Sequence, residues 1–403
     1  ICMLLGTFIG LFFNGMEDLN NSYSYGFIIS FGEIFVRLLK MIIVPLILSS
    51  IIMGVSSIKD QTKIGRLGVK TLLYYIVTSL IAIMIGLSLA NMIEPGINAA
   101  TISSAEAFDT NKLNTSNSVF DILKRMIPTN PVSALANGDM LGIIFFAIFF
   151  GIALNLVESN ISNSIKSGIN GFYTVIMKIT EIVIRFAPIG VLGLMTKTIS
   201  NTGLSIFREL GFYALTIILG LSIHLFIVLP VILVIFVKVN PIVHFKAMAS
   251  AMITAFSTSS SSATLPVTMK CVKQNVKASN EITSFVLPMG ATINMDGTAL
   301  YECAGVLFIA QALGIPLSGT EQMIVVITAL LASIGAAGIP SAGLVMLFIV
   351  TDAVGLQSDA VALWVGSMLA IDRPLDMYRT MVNISSDSVG AALIAKSEGE
   401  TLY

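Results

Sequence analysis

The chain has 403 residues, of which 55% are hydrophobic and only 11% charged, and its mean hydropathy is +0.91. That is too little charge to cover a water-soluble domain. A net charge of −1 offers no basic face to nucleic acid, and Cys2, Cys271 and Cys303 have neither disulfide nor metal-ligand spacing. His224 and His244 form no ligand cluster in the sequence.

Apolar spans are predicted at 1–14, 34–58, 68–93, 118–157, 167–199 and 207–237. The windows Thr71 to Ile93, Leu210 to Val237 and Gln322 to Thr351 hold no Asp, Glu, Lys or Arg, and about twenty such residues cross a bilayer. The stretch 1–14 is short for a span, which predicts further residues ahead of it. It has no basic n-region or cleavage site of a signal peptide. From about 242 onward, polar and Gly/Pro-rich breaks interrupt the apolar runs. They are Ser257 to Ser262, Asn294 to Thr298, and Gly335 to Gly343 with Pro340. A last span, 357–396, carries Asp372, Arg373, Asp376, Arg379, Asn383 and Asp387.

Lys59, Lys63, Arg66 and Lys70 crowd one short loop, which the positive-inside rule places in the cytoplasm. Glu17, Asp18 and the polar stretch 94–117 are then outside, and both termini are cytoplasmic. Lys246 and Lys270 flank the serine run on one side, which describes a re-entrant hairpin. The segment around Pro340 lies between Glu321 and Asp352 and enters from the opposite face. Hairpin plus broken helix, followed by hairpin plus polar helix, is an inverted repeat of the transporter kind. Irregular backbone at membrane depth persists only where protein or water satisfies it.

Asp372, Asp376, Arg379, Asn383 and Asp387 are spaced 4, 3, 4 and 4, so they share one helical face. Each mid-membrane charge costs roughly 2.5–3.5 kcal/mol on insertion scales, so the face must look into a polar interior. An Asp376–Arg379 ion pair that only joins helices is the bland alternative. It leaves Asn383 and Asp387 unexplained. The functional reading is a zwitterion site, in which Asp376 takes an ammonium and Arg379 a carboxylate. The Asn294–Asp296 break offers oxygen ligands to a hard cation such as Na⁺, or else is a polar kink. The serine run either caps helices or receives a carboxylate. Tyr75, Thr78 and Ser79 read by themselves as helix-packing polar groups.

Four motifs in order resemble the glutamate transporter family, the dicarboxylate/amino acid:cation symporters. They are Ser260 to Pro266, Gly290 to Thr298, Gly335 to Gly343 and Asp376 to Asn383. The resemblance covers essentially the whole chain. It implies an all-α polytopic membrane protein with eight transmembrane helices, two re-entrant hairpins and an elevator mechanism. It also implies a homotrimer in the bilayer of the cell membrane. Residues 1–65 and 96–205 would be scaffold. Residues 66–95 and 206–403 would form the transport domain.

By motif position, the resemblance places the substrate on Ser260, Ser261, Met295, Thr298, Ile339, Gly343, Asp376, Arg379, Thr380 and Asn383. It implies one sodium site at Gly290, Asn294, Asn383 and Asp387, and a second at Thr292, Ser333, Ile334 and Ala336. A third would use Tyr75, Thr78, Ser79, Asn294 and Asp296. Glu302 matches a glutamate that animal members link to H⁺ cotransport and K⁺ counter-transport. It is read either as a proton carrier or as a hydrogen-bonded structural carboxyl. The family's further arginine falls at Ser259 in archaeal members and at Met377 in animal ones, and this chain has neither. Arg373, one turn before Met377, is a candidate to reach the same place.

The substrate expected is L-glutamate or L-aspartate. Asp376 argues against C4-dicarboxylates and Arg379 against neutral amino acids. An intramembrane protease would need a base beside its serine, and no Gly-x-Ser-x-Gly elbow is present. Hairpins on both sides of one site suit alternating access better than a channel.

Overall fold

The computed structural model describes residues 2–14, 23–56, 63–97, 127–335, 342–356 and 359–403. Glu17, Asp18, Lys59, most of the stretch 94–117 and the second hairpin's Ala336, Ile339 and Pro340 lie outside the described residues. Among the described residues every regular element is helical. They are α1 (Cys2–Phe13), α2 (Tyr23–Ser56), α3 (Lys63–Ile93), α4 (Pro131–Asn137), α5 (Met140–Leu156), α6 (Ser159–Arg185), α7 (Ala187–Thr202) and α8 (Ile206–Val237). There follow α9 (Pro241–Thr258), α10 (Ser261–Cys271), α11 (Asn280–Ile293), α12 (Asp296–Ala312), α13 (Gly319–Gly335), α14 (Ala342–Ala353) and α15 (Asp359–Ser397). Two stretches, Arg66–Ile93 and Ile206–Val237, are long and apolar enough to cross a bilayer by length and composition alone.

The structure redraws three predicted spans. α2 begins at Tyr23 rather than 34, and so includes Glu33, which pairs with Lys197 of α7 at 3.1 Å. The predicted 118–157 span is two helices in its described part. Asn130 caps α4, accepting from Val132 N and Ser133 N, and Gly138 ends it in the left-handed region at φ 69°. That conformation costs glycine nothing. The predicted 167–199 span bends at Phe186, because Pro188 has no N–H and ends the register of α6.

Packing sorts the helices. α1 lies on α7, and α2 lies on α5, α6 and α7. α2 and α7 cross backbone to backbone, and a Cβ on Gly193 would meet Ile28 O at 2.7 Å. Only small residues permit such a crossing. The other set centres on α12, which is buried along almost its whole length and is wrapped by α3, α8, α13, α14 and α15. α9 pairs with α10 and α13 with α14, and α9 and α11 both lie along α15. The two sets touch where α7 meets α15 and where α2 meets α13 and α14.

The serine run breaks the helix between α9 and α10, as its polar interruption of an apolar stretch predicts. Ser259 takes φ 52° and ends α9. Ser260 then caps α10, accepting from Ala263 N at 3.1 Å. The second predicted break also holds. α11 ends at Ile293 and α12 begins at Asp296, with Asn294 and Met295 non-helical between them.

Candidate functional site

α15 is the spine of the site. Asp372, Asp376, Arg379, Thr380, Asn383 and Asp387 are all buried on it. Arg379 Nη2 donates to Asp376 Oδ1 at 2.8 Å and to Asp372 Oδ1 at 3.0 Å. Its guanidinium carbon sits 3.8 Å from the centre of the Tyr301 ring, a cation–π stack. Nη1 and Nε have no hydrogen-bond partner among the described residues. A Cβ on Gly343 would lie 3.2 Å from Nη1 and 3.3 Å from Thr298 Cγ2. α14 thus presents bare backbone to the guanidinium. The Asp376–Arg379 ion pair weighed from the sequence is therefore present, with Asp372 as its third member. It still leaves donors on a fully buried cation.

Asn383 closes the break between α11 and α12. Its Oδ1 accepts from Gly297 N at 2.8 Å, one of the N–H groups that a helix start leaves without an intrahelical partner. Its Nδ2 reaches Met295 Sδ and Thr298 Oγ1, each at 3.3 Å. Met295, Thr298, Gly343, Asp376, Arg379 and Asn383 thereby form one connected cluster. Thr380 joins it through its own helix, donating to Asp376 O at 2.8 Å. Ser260 and Ser261 sit at the start of α10, which touches α15.

A second cluster lies one turn further along α15. Asp387 Oδ1 accepts from Asn294 Nδ2 at 2.9 Å. A Cβ on Gly290 would overlap the Asp387 carboxylate and lie 2.7 Å from Tyr75 Oη, so glycine is required there. Asn294 Oδ1 has no partner among the described residues. Asp296 accepts from Ser79 Oγ at 2.6 Å through Oδ1, and from Ser386 Oγ at 2.6 Å and His224 Nε2 at 3.0 Å through Oδ2. Thr78 is buried beside them, its hydroxyl bonded to Tyr74 O, and Tyr75 Oη donates to Val286 O at 2.8 Å. The residues expected at the first and third sodium sites are thus brought together, with oxygen donors suited to a hard cation.

The remaining expected set is met in part. Thr292 and Ile334 line one cavity of about 390 Å³, shared with Ser50, Met53 and Gly54 of α2. Ser333 is buried with its hydroxyl on Leu330 O. Glu302 is fully buried, and neither carboxylate oxygen has a hydrogen-bond partner among the described residues. Arg373 is exposed and Met377 half-buried.

Reasoning from sequence missed His224, Ser386 and Tyr301. His224 carried a signal, since a polar ring inside an uncharged membrane-length window needs a buried partner. It is presented on a π-turn, 224–228, just before Pro230, and such turns gather at functional sites. Ser386 and Tyr301 had none.

A profile described as the sodium:dicarboxylate symporter family matches residues 1–397. Excitatory amino acid transporter 3 of Mus musculus is 36% identical over 443 residues, covering 98% of this chain and 83% of that protein. Excitatory amino acid transporter 2 of Homo sapiens is 35% identical, over 92% of this chain and 74% of that protein. Excitatory amino acid transporter 1 of Ambystoma tigrinum is 33% identical, over 90% and 76%.

Proposed function

Because the chain belongs to the sodium:dicarboxylate symporter family, we propose that it imports an acidic amino acid, L-glutamate or L-aspartate, driven by sodium. The observation that carries the substrate class is the buried Arg379 beside Asp376, with Nη1 and Nε unpartnered among the described residues. An amino acid with a side-chain carboxylate supplies both complements. Its carboxylate accepts from the guanidinium fork, and its ammonium donates to Asp376. Thr298, Thr380 and Asn383 complete the polar wall, with Met295 and Gly343 beside it, and Ile339, outside the described residues, would be a further contact. Ser260 and Ser261 close it from the first hairpin.

Sodium is a co-substrate here. Asp387, Asn294, Asn383 and the Gly290 carbonyl would hold one ion. Asp296, Asn294, Ser79, Thr78 and Tyr75 would hold another. Thr292 with Ser333, Ile334 and Ala336 would hold a third. Glu302, buried and without a hydrogen-bond partner among the described residues, is the group that would carry a proton, with K⁺ as the counter-ion in exchange.

The two packing sets support an elevator. α1, α2 and α4–α7 would be the scaffold of a homotrimer in the plasma membrane. α3 and α8–α15 would travel across it as the transport domain. Eight spanning helices, two hairpins entering from opposite faces and cytoplasmic termini complete this reading.

The deciding experiment is uptake of labelled L-glutamate and L-aspartate into proteoliposomes, with and without an inward sodium gradient. Uptake that requires the gradient is expected. Uptake indifferent to sodium and driven by an inward proton gradient would overturn the sodium sites and move the coupling to Glu302.

A further inference from the structure

The turn Ser385–Ser388 of α15 faces two ways. Inward, Ser386 Oγ bonds Asp296 Oδ2, Asn294 Nδ2 bonds Asp387, and Tyr74 Oη donates to Ser386 O at 3.0 Å. Outward, Ser388 Oγ lies 2.9 Å from His244 Nε2, and His244 Nδ1 contacts the Tyr403 hydroxyl. Ser388 and His244 are both fully buried.

The bonds align in one tautomer of His244. Ser388 donates its one hydroxyl proton to Ser385 O at 2.8 Å, and its Oγ then accepts from the Nε2–H of His244. Nδ1 is left as an acceptor, and Tyr403 donates to it. Three hydrogen bonds then run head to tail from Tyr403 into the turn, an arrangement in which each strengthens the next.

Tyr403 is itself fastened. Its N–H donates to Val276 O at 3.1 Å, at the base of the first hairpin. Glu400 accepts from Ser279 N at 2.8 Å, at the start of α11. Glu398 accepts from Lys70 Nζ at 2.6 Å and from Arg66, both on α3. The segment following α15 thus spans α3, α11 and the first hairpin before its ring meets His244.

We infer that His244 and Tyr403 are positioning residues for the cation site at Asp387, acting through Ser388. They fix the turn that aims Ser386 and Asp387, and so tie the segment 398–403 to sodium affinity. The inference rests on Asp387 as a sodium ligand. A site of this kind must be held to about 0.5 Å, and a turn released on its outer side no longer holds its ligand there.

The test uses the full chain and sodium alone as probe, read in two ways. One is the sodium concentration for half-maximal uptake. The other is the sodium concentration for half-maximal thermal stabilisation of the purified protein, which reports binding without transport. His244→Phe, Tyr403→Phe and Ser388→Ala are each expected to raise both values about three- to tenfold, with uptake at saturating sodium kept within about twofold. The His244→Phe/Tyr403→Phe double variant should be no worse than His244→Phe, because the two lie on one path. Lower maximal uptake with unchanged sodium dependence would mean a merely structural role and would overturn the inference. If His244→Phe does not fold, Ser388→Ala and Tyr403→Phe decide the question. Asp387→Asn separates the two ways of failing. Sodium dependence unchanged in Asp387→Asn would remove the cation site itself. Sodium dependence lost there but intact in the other three would remove only the path from Tyr403.

Discussion

The two polar clusters on α15 hold their carboxylates in opposite ways. Asp372 and Asp376 have a resident cation, since Arg379 bonds both. Asp296 and Asp387 receive only hydroxyl, amide and imidazole donors, from Ser79, Ser386, Asn294 and His224. No lysine or arginine pairs with them among the described residues. A buried carboxylate without a countercharge is costly, so the second cluster gains most from a cation that arrives from outside. The first already contains both signs of charge and suits a ligand that carries both. On the proposed function, the difference would separate a place for an amino acid from a place for an ion, although one helix builds the two.

The sharpest way to break this contrast is to remove the resident cation. Arg379→Ala leaves Asp372 and Asp376 buried together, and stranding one member of such a pair costs about 3–5 kcal/mol. Uptake of glutamate and aspartate should fall by at least about a hundredfold, while small neutral amino acids become substrates. Uptake in proteoliposomes measures both, and unchanged acidic uptake would refute the assignment of the guanidinium.

The converse change, Asp296→Asn, weakens the cluster that has no cation of its own. The sodium concentration for half-maximal uptake should rise about tenfold, equivalent to about 1.4 kcal/mol. Substrate affinity at saturating sodium should change little. A sodium titration of uptake decides it, and a loss of substrate affinity alone would erase the distinction between the clusters.

The smallest effect is expected at Glu398, a half-buried counterpart to both. Lys70, with Arg66 beside it, holds the Glu398 carboxyl below its ordinary range. A lowered carboxyl stabilises the folded form above its unfolded value of about 4.5, and that contribution is lost as pH falls through the lower folded value. Glu398→Gln should therefore flatten the fall of melting temperature below about pH 4.5, with no change near neutrality beyond loss of the exposed pair. Thermal melts from pH 3 to 7 measure it, and identical acid slopes would exclude the contribution.

Much of this was legible because membrane-buried polarity is rare. The 4, 3, 4, 4 spacing on α15 and the Asn294 interruption stand out against apolar neighbours, and both describe the structure. What stayed hidden depends on partners distant in the chain. Glu33 lies inside α2 and meets Lys197 from 164 residues away. His224 meets Asp296 across 72 residues, and no local pattern encodes such a meeting. Tyr301 looked like any core aromatic until Arg379 was laid on its face. The bend at Phe186 could have been drawn from Pro188, but the apolar run hid it.

Asn383 joins the two clusters. One amide holds the Gly297 N–H, the Met295 thioether and the Thr298 hydroxyl, and it stands one turn from Asp387 on the same helix. If it serves both proposed sites, it would couple the two binding events, and such coupling is reciprocal. By whatever factor bound sodium tightens the grip on the amino acid, the amino acid must tighten the grip on sodium. Cargo and fuel would then be recognised as one load, and a carrier holding only half of it would be the poorly populated state.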